Sequence, residues 1–320
     1  MTVRNLIWGS RQPAVDSSEF VPERMHRPKP VTPGRSWRQV LHRVTGVNLG
    51  PSAGELAERE LVARLRTPIV GCRRVAVISR KGGIGKTTTT VALGHTLASH
   101  RGDRVIALDA NPDAGSMAFR IERQTASTLT QLLAEADTLH RYADVRSHTS
   151  QSDSRLEVLA SDNDPAISEA LGEDGYRRAL RVLEDHYNLI LVDTGTGVLD
   201  PATQGILRMA DQLVICAAPT IDGGKVAALT LDWLDEHGYD ELVRQAVVVL
   251  NQVGADTDVD VSSIERHFSR RCRRTVRVPW DPHLATGGQV DLSSLRRSTR
   301  RAYLELGAAV ADGFALGGEE

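Results

Sequence analysis

An α/β fold, with a mostly parallel sheet covered by helices on both faces, is what this sequence predicts, and three observations predict it. From about residue 72 to the end, short apolar β-branched runs alternate with stretches whose apolar residues recur at helical spacing. One run, Val75-Ala76-Val77-Ile78, leads straight into a glycine-rich turn and then a helix. Length and composition permit it: 320 residues can bury a large core, and 41% hydrophobic with 25% charged residues is ordinary for a globular chain.

Residues 1 to about 45 are rich in proline, arginine and serine, as in Arg27-Pro28-Lys29-Pro30 and Thr32-Pro33-Gly34-Arg35. Such a segment buries too little apolar surface to order itself, and reads as a flexible basic tail. Residues 46–71 form a helical lead-in. Ser52 and Glu55 have capping-box spacing, and Leu56, Leu61, Val62 and Leu65 continue a helix that should stop before Pro68. Residues 72–320 are the main domain. Its strands are expected at 74–79, 104–109, 155–159, 188–193, 212–217, 245–251 and 275–278. The helices between them are expected near 86–100, 126–139, 173–186, 200–210, 223–237, 260–270 and 294–314, with 140–154 an exposed loop.

The first strand ends in Ser79-Arg80-Lys81-Gly82-Gly83-Ile84-Gly85-Lys86-Thr87-Thr88. Strand, glycine turn and Gly-Lys-Thr opening a helix are the context of a phosphate-binding loop. Glycines let backbone N–H groups turn inward around phosphate oxygens, and the helix N-terminus favours negative charge. Lys86 would reach the terminal phosphates, and Thr87 would take a place on Mg²⁺. A second motif, Asp109-Ala110-Asn111-Pro112-Asp113-Ala114-Gly115, closes the strand Val105–Leu108. A third, Leu189-Ile190-Leu191-Val192-Asp193, has four apolar residues ending in an aspartate suited to Mg²⁺, and Thr194-Gly195-Thr196-Gly197 after it suits a mobile switch.

Ordinary phosphate loops have glycine where this chain has Arg80, and Lys81 directly precedes the glycine pair. Lys81-Gly82-Gly83-Ile84-Gly85-Lys86-Thr87-Thr88 resembles the deviant Walker A motif of the MinD/ParA family of dimerising ATPases. The resemblance implies that Lys81 crosses a dimer interface to phosphates on the other subunit, while Lys86 serves its own. It also implies that Asp109 stands near Mg²⁺ and that Asn111 replaces an aspartate positioning the attacking water, so hydrolysis should be slow unless Asp113 deputises. Asn251, at the end of Val247–Leu250, matches an adenine-contacting asparagine. Pro279 and Asp281, in Val278-Pro279-Trp280-Asp281-Pro282, match a loop over the base. No Asn-Lys-x-Asp guanine motif occurs, so ATP is the expected nucleotide. Nucleotide contacts are thus expected from Gly82, Gly83, Ile84, Gly85, Lys86, Thr87, Thr88, Asn251, Pro279 and Asp281, and metal contacts from Thr87, Asp109 and Asp193.

Across residues 72–310 the chain resembles the MinD/ParA-like ATPases encoded with actinobacterial type VII (ESX) secretion systems. The similarity lies in Asp109-Ala-Asn-Pro-Asp, Asp193-Thr-Gly-Thr-Gly, Leu231-Asp-Trp-Leu-Asp-Glu-His-Gly and the region from Trp37 to Gly46. It implies an ATP-dependent homodimer serving as accessory or regulator of a secretion complex. A ParA-like DNA-bound positioning ATPase, or an interaction module that binds ATP with little hydrolysis, are the competing readings.

Net charge is −2, so attraction to nucleic acid or membrane needs a local patch. Arg266, Arg270, Arg271, Arg273, Arg274 and Arg277, followed by Arg296, Arg297, Arg300 and Arg301, are the candidate. ParA proteins bind DNA through basic surface near the C-terminus; a solvated face, or one serving an acidic protein partner, reads the same residues differently. Aromatics, at 4%, are too few for a base-stacking platform. Cys72, Cys216 and Cys272 are widely spaced, which fits a reducing cytosol and buried thiols. No run approaches membrane-spanning length. The C-terminal Ala315-Leu316-Gly317-Gly318-Glu319-Glu320 also lacks the basic amphipathic helix of MinD. A cytoplasmic protein without its own membrane anchor is expected, any membrane recruitment falling to a partner.

Overall fold

The computed structural model describes residues 51–111, 115–162, 164–197, 200–254 and 259–317. The expected tail, with Trp37–Gly46, lies outside them, as does Asp113. The chain divides into two units, Met1–Leu56 and Ala57–Glu320. In the first, Ser52 and Glu55 close the expected capping box: Ser52 N–H donates to Glu55 at 2.7 Å and Glu55 N–H to Ser52 Oγ at 3.2 Å. Helix α1 (Ala53–Leu65) begins there and has most of its length in the second unit; it ends short of Pro68, and Leu61 and Leu65 are buried.

The second unit is built on an eight-stranded sheet ordered β3-β4-β2-β5-β1-β6-β7-β8. The strands are β1 (Arg73–Ile78), β2 (Val105–Ala110), β3 (Ser150–Gln151), β4 (Glu157–Leu159), β5 (Leu189–Thr194), β6 (Gln212–Ala217), β7 (Val247–Val253) and β8 (Arg274–Pro279). Every pairing is parallel except β3 with β4. Parallel strands covered on both faces need apolar side chains on both, which is why the runs are continuous rather than alternating. Val75 and Val77 of β1 enter one apolar layer, with Val91 and Leu97 of α2 (Lys86–His100) and Leu306 and Val310 near the C-terminus. Ala76 and Ile78 enter the other, with Tyr176, Ile206 and Leu231. The three cysteines are free, and Cys216 and Cys272 are buried. No helix among the described residues is long and apolar enough to cross a membrane.

Several boundaries differ from the sequence expectation. The expected loop 140–154 holds a short helix, Tyr142–Arg146, and β3. Both gather around Glu157, a buried carboxylate that accepts from Tyr187 Oη at 2.5 Å, Thr149 Oγ1 at 2.7 Å and the Tyr142 hydroxyl. The expected helix 126–139 is broken into Leu129–Ala134 and a 3₁₀ turn, Ala136–Thr138. The helix expected at 173–186 starts earlier, spanning Pro165–Glu184 with a kink at Gly172 (φ 54°); Asp164 caps it and Pro165 opens it. A six-residue helix, Asp240–Gln245, had no sequence expectation.

His95 of α2 is buried, with Nδ1 2.7 Å from Ser154 Oγ and no partner for Nε2 among the described residues. Burial, opposed only by the distant charge of Asp291, lowers its pKa to about 4 from the ordinary 6.5. The unfolded chain therefore takes up this proton first on acidification. The stability His95 contributes is complete above pH 6.5 and is lost as pH falls toward 4, up to about 3 kcal/mol in all. Urea unfolding at pH 7 and pH 5 should show a smaller loss for His95→Gln than for wild type; equal losses would assign the acid sensitivity elsewhere.

Candidate nucleotide site

Strand order creates the crevice. β1 lies between β5 and β6, with β2 beyond β5, so consecutive strands β1 and β2 are separated by β5. Ligands of open parallel sheets bind at such switch points, outside the carboxyl ends of the strands. The loop after β1 occupies that position. Gly83 and Gly85 have φ of 73° and 82°, values that L side chains rarely adopt. A Cβ built at Gly82 or Gly83 meets no atom within 4 Å, so open space rather than protein faces the loop there. Gly85 is the N-cap of α2, with no side-chain cap and no acidic residue in the first turn. The helix therefore presents uncapped N–H groups and the positive end of its dipole at the loop.

Register then places the acidic groups. Asp109 of β2 and Asp193 of β5 are direct partners in the β2–β5 ladder, and both are fully buried. Asp193 receives Lys86 Nζ at 3.0 Å on one oxygen and Thr87 Oγ1 at 2.5 Å on the other; Lys86 also donates to the Thr194 carbonyl. Asp109 accepts the N–H groups of Asn111 at 3.2 Å and Met117 at 3.0 Å. Burial first, and then the neighbouring charge of Asp193, push the Asp109 carboxyl up to about 7. Two buried carboxylates thus stand against one ammonium. A hydroxyl and two carboxylates are hard oxygen donors short of positive charge, and they fit Mg²⁺. Gly115 lets the chain pass this close: a Cβ there would lie 2.7 Å from Asp109 Oδ2 and 1.9 Å from Ser161 Oγ.

The other expected residues divide. Ile84 is buried and Thr88 half-buried within the loop segment. Asn251 is buried, and its amide nitrogen donates to the Ile84 carbonyl at 2.9 Å and to Thr89 Oγ1 at 2.8 Å. It braces the phosphate loop from β7. Asp281 is 3% exposed, with one oxygen accepting His283 N–H and the other Arg296 N–H, so its carboxylate ties down the loop after β8. Pro279 closes β8, and the exposed group of this segment is Trp280, with the Arg296 guanidinium 5.6 Å from its ring. Lys81 stands at the rim, 41% exposed, paired with Asp222 at 2.7 Å. Sequence reasoning did not single out Asp222, Ser116 or Thr90. Ser116 directly follows the second motif and its Oγ is 3.4 Å from Thr87 Oγ1, whereas the pairing of Asp222 with Lys81 joins residues 141 apart and leaves no local signal.

The arginine concentration is not a face of one sign. Arg271 bridges Asp232 at 2.6 Å and Asp235 at 2.7 Å, Arg277 pairs with Glu265, Arg301 with Glu305 at 3.0 Å, and Arg266 with Asp260 at 3.5 Å. Arg273 is half-buried against the Gln245 carbonyl. Arg270, Arg274, Arg296, Arg297 and Arg300 are exposed.

Comparison with known proteins agrees with the geometry. A family model described as an AAA domain matches residues 72–225. The ESX-1 secretion-associated protein EspI of Mycobacterium tuberculosis is 40% identical over 287 residues. That alignment covers 89% of this chain and 43% of that protein, so this chain spans less than half its relative's length. Soj, a sporulation initiation inhibitor protein of Bacillus subtilis, is 27% identical over 258 residues, 74% of this chain and 97% of that protein. The chain belongs to the MinD/ParA type of P-loop ATPases. Solved structures show the same fold. A ParA family ATPase from Chlorobium tepidum superposes with a TM-score of 0.62 at 18% identity, over 73% of this chain and 98% of that one. MinD of Pyrococcus horikoshii, complexed with Mg-ADP, gives 0.57 at 17% identity, over 74% and 94%. In this MinD/ParA-type core the loop, the paired aspartates and the helix N-terminus all meet at the head of β1, β2 and β5.

Proposed function

We propose that this chain is an ATP-dependent dimerising switch that hydrolyses ATP slowly and serves as an accessory or regulator of a type VII secretion complex. The observation that carries the switch is the division between its two loop lysines. Lys86 lies inside the site, 8% exposed and bound to Asp193, whereas Lys81 sits at the rim on an exposed partner, Asp222. Lys86 and the helix N-terminus would bind the phosphates of this chain's own nucleotide, with Thr87, Asp109 and Asp193 holding Mg²⁺. When bound, Mg²⁺ supplies positive charge against the phosphate oxygens where negative charge develops. Lys81, in a surface ion pair worth little, is available to a second subunit. The link to secretion rests on the likeness to EspI. With four of the ten arginines in acidic pairs, the DNA-bound reading has less support from this surface.

Lys81→Ala should leave nucleotide affinity of the monomer intact and remove ATP-dependent dimerisation, followed by light scattering with a slowly hydrolysed ATP analogue. Equal dimerisation of variant and wild type would remove Lys81 from the interface. Asp222→Ala, which frees the lysine without deleting it, should still dimerise.

A further inference from the structure

The two edges of the sheet are finished differently. At one end β3 has two residues, and Gln124 closes it: the Gln124 side chain donates to the Gln151 carbonyl at 2.9 Å and accepts its N–H at 3.1 Å. At the other end β8 has six residues and pairs only with β7. Among the described residues no loop or side chain hydrogen-bonds the outer backbone of Arg274–Val278. An open groove of about 600 Å³ lies against this strand, and Ser262, Arg266, Arg273, Arg274, Thr275 and Arg277 line it.

We propose that β8 is a docking strand for an extended acidic peptide of a partner protein. Two features of the groove agree on that occupant. An unpaired strand edge offers alternating N–H and C=O groups to another strand, so main-chain bonds supply affinity and alternate side chains supply specificity. The charge is set by four arginines against Glu265 and Glu305. Both glutamates already hold arginines, Glu265 with Arg277 and Glu305 with Arg301, while Arg274 is exposed with no acidic partner among the described residues.

The sides of β8 also differ in chemistry. Val276 and Val278 enter the apolar layer, whereas Arg277 reaches Ser262 and Glu265 of the helix Val261–Phe268 on the opposite side. An added strand alternates with the same period of two, so acidic residues at every second position would meet Thr275 and Arg277 on one side, while on the other side Arg274 opens the row that Val276 and Val278 continue. Arginine on an open edge repels basic strands, must be desolvated at a cost against neutral ones, and so discourages self-association; the same charge selects an acidic strand. DNA would also answer to arginine, but an acceptor-only phosphate leaves the outward carbonyls of a strand edge without donors.

The test uses the full chain and a fluorescein-labelled peptide of alternating glutamate and valine, about eight residues long. Three probes accompany it: the same peptide with proline at alternate positions, an alternating lysine–valine peptide, and a short DNA duplex. Fluorescence anisotropy should show binding of the acidic strand, weakened roughly tenfold or more by the prolines and by Arg274→Glu, and no binding of the lysine peptide. Hydrogen exchange should slow at the amides of Val276 and Val278 in the complex. Arg274 is exposed, so the variant should fold, and unchanged nucleotide affinity would confirm that it does. Equal affinity for the proline peptide would reduce the groove to a charge patch. Tighter binding of the duplex, absence of amide protection, or failure of the acidic strand to bind would each overturn the proposal.

Discussion

Lys86→Ala should abolish ATP–Mg²⁺ binding, read as the loss of all heat in a calorimetric titration. The side chain supplies the one ammonium inside the site, and its charge-assisted contact with phosphate has no substitute among the neighbours. In the nucleotide-free chain the same ammonium has a second duty. It neutralises Asp193, fully buried in ladder register with Asp109. Removing one partner of a buried pair leaves an uncompensated charge, at a cost of about 3–5 kcal/mol. Lost binding alone could then mean lost folding. Lys86→Ala combined with Asp193→Asn separates the two. The amide carries no charge and can still accept from Thr87, so the double variant should recover most of the unfolding midpoint and still bind no nucleotide, with or without Mg²⁺, whereas Asp193→Asn alone should keep Mg²⁺-free nucleotide binding. Recovery of binding in the double variant would show that Lys86 acts only through Asp193. Unchanged affinity in Lys86→Ala would remove the phosphate-loop assignment altogether.

The parts of this molecule that were legible in its sequence are those in which local chemistry and global position agree. Val75–Ile78, the glycine loop and the opening of α2 are contiguous, and the loop's backbone angles follow from its glycines. The aspartates were legible for a related reason: apolar strands that end in Asp109 and Asp193 face solvent only at their carboxyl ends, where a ligand would sit. That they would be ladder partners was not legible, because it depends on β5 inserting between β1 and β2. The same limit hid the bond from Asn251 to the Ile84 carbonyl and the pairing of Asp222 with Lys81, both contacts between residues more than 100 apart in sequence. The stretch 140–154 misled for another reason. Its helix and strand are too short to show a period, and a buried carboxylate ringed by hydroxyls organises them. For the arginines, composition was visible and pairing was not. Asp232 and Asp235, which neutralise Arg271, lie on the helix Ile221–Glu236, far from it in sequence.

Asn111→Asp should raise steady-state ATP hydrolysis at saturating nucleotide, with little change in affinity. Asn111 directly follows β2, half-buried, with its N–H on Asp109 Oδ1, which places it beside the proposed metal ligands. Resemblance to the family puts an aspartate at this position, orienting the attacking water. A neutral amide can hydrogen-bond that water but cannot accept its proton or lend it negative charge. Positioning and charge stabilisation are most of what a protein contributes to phosphoryl transfer, and general-base assistance is typically worth ~10²–10⁴-fold. An increase of at least tenfold is therefore the expected result, conservative because the new carboxylate joins a crowded acidic site. Burial and Asp193 already push Asp109 up to about 7, and a third carboxylate nearby disfavours ionisation further unless Mg²⁺ compensates. The nucleotide-free variant should accordingly be less stable than wild type, and Mg²⁺ with ATP should restore more of its stability than it adds to wild type. Asp113→Ala is the companion measurement. If Asp113 has assumed the role, that variant loses nearly all turnover and Asn111→Asp gains little. A fast wild-type enzyme indifferent to both substitutions would place the water-orienting group outside the segment from Asp109 to Gly115.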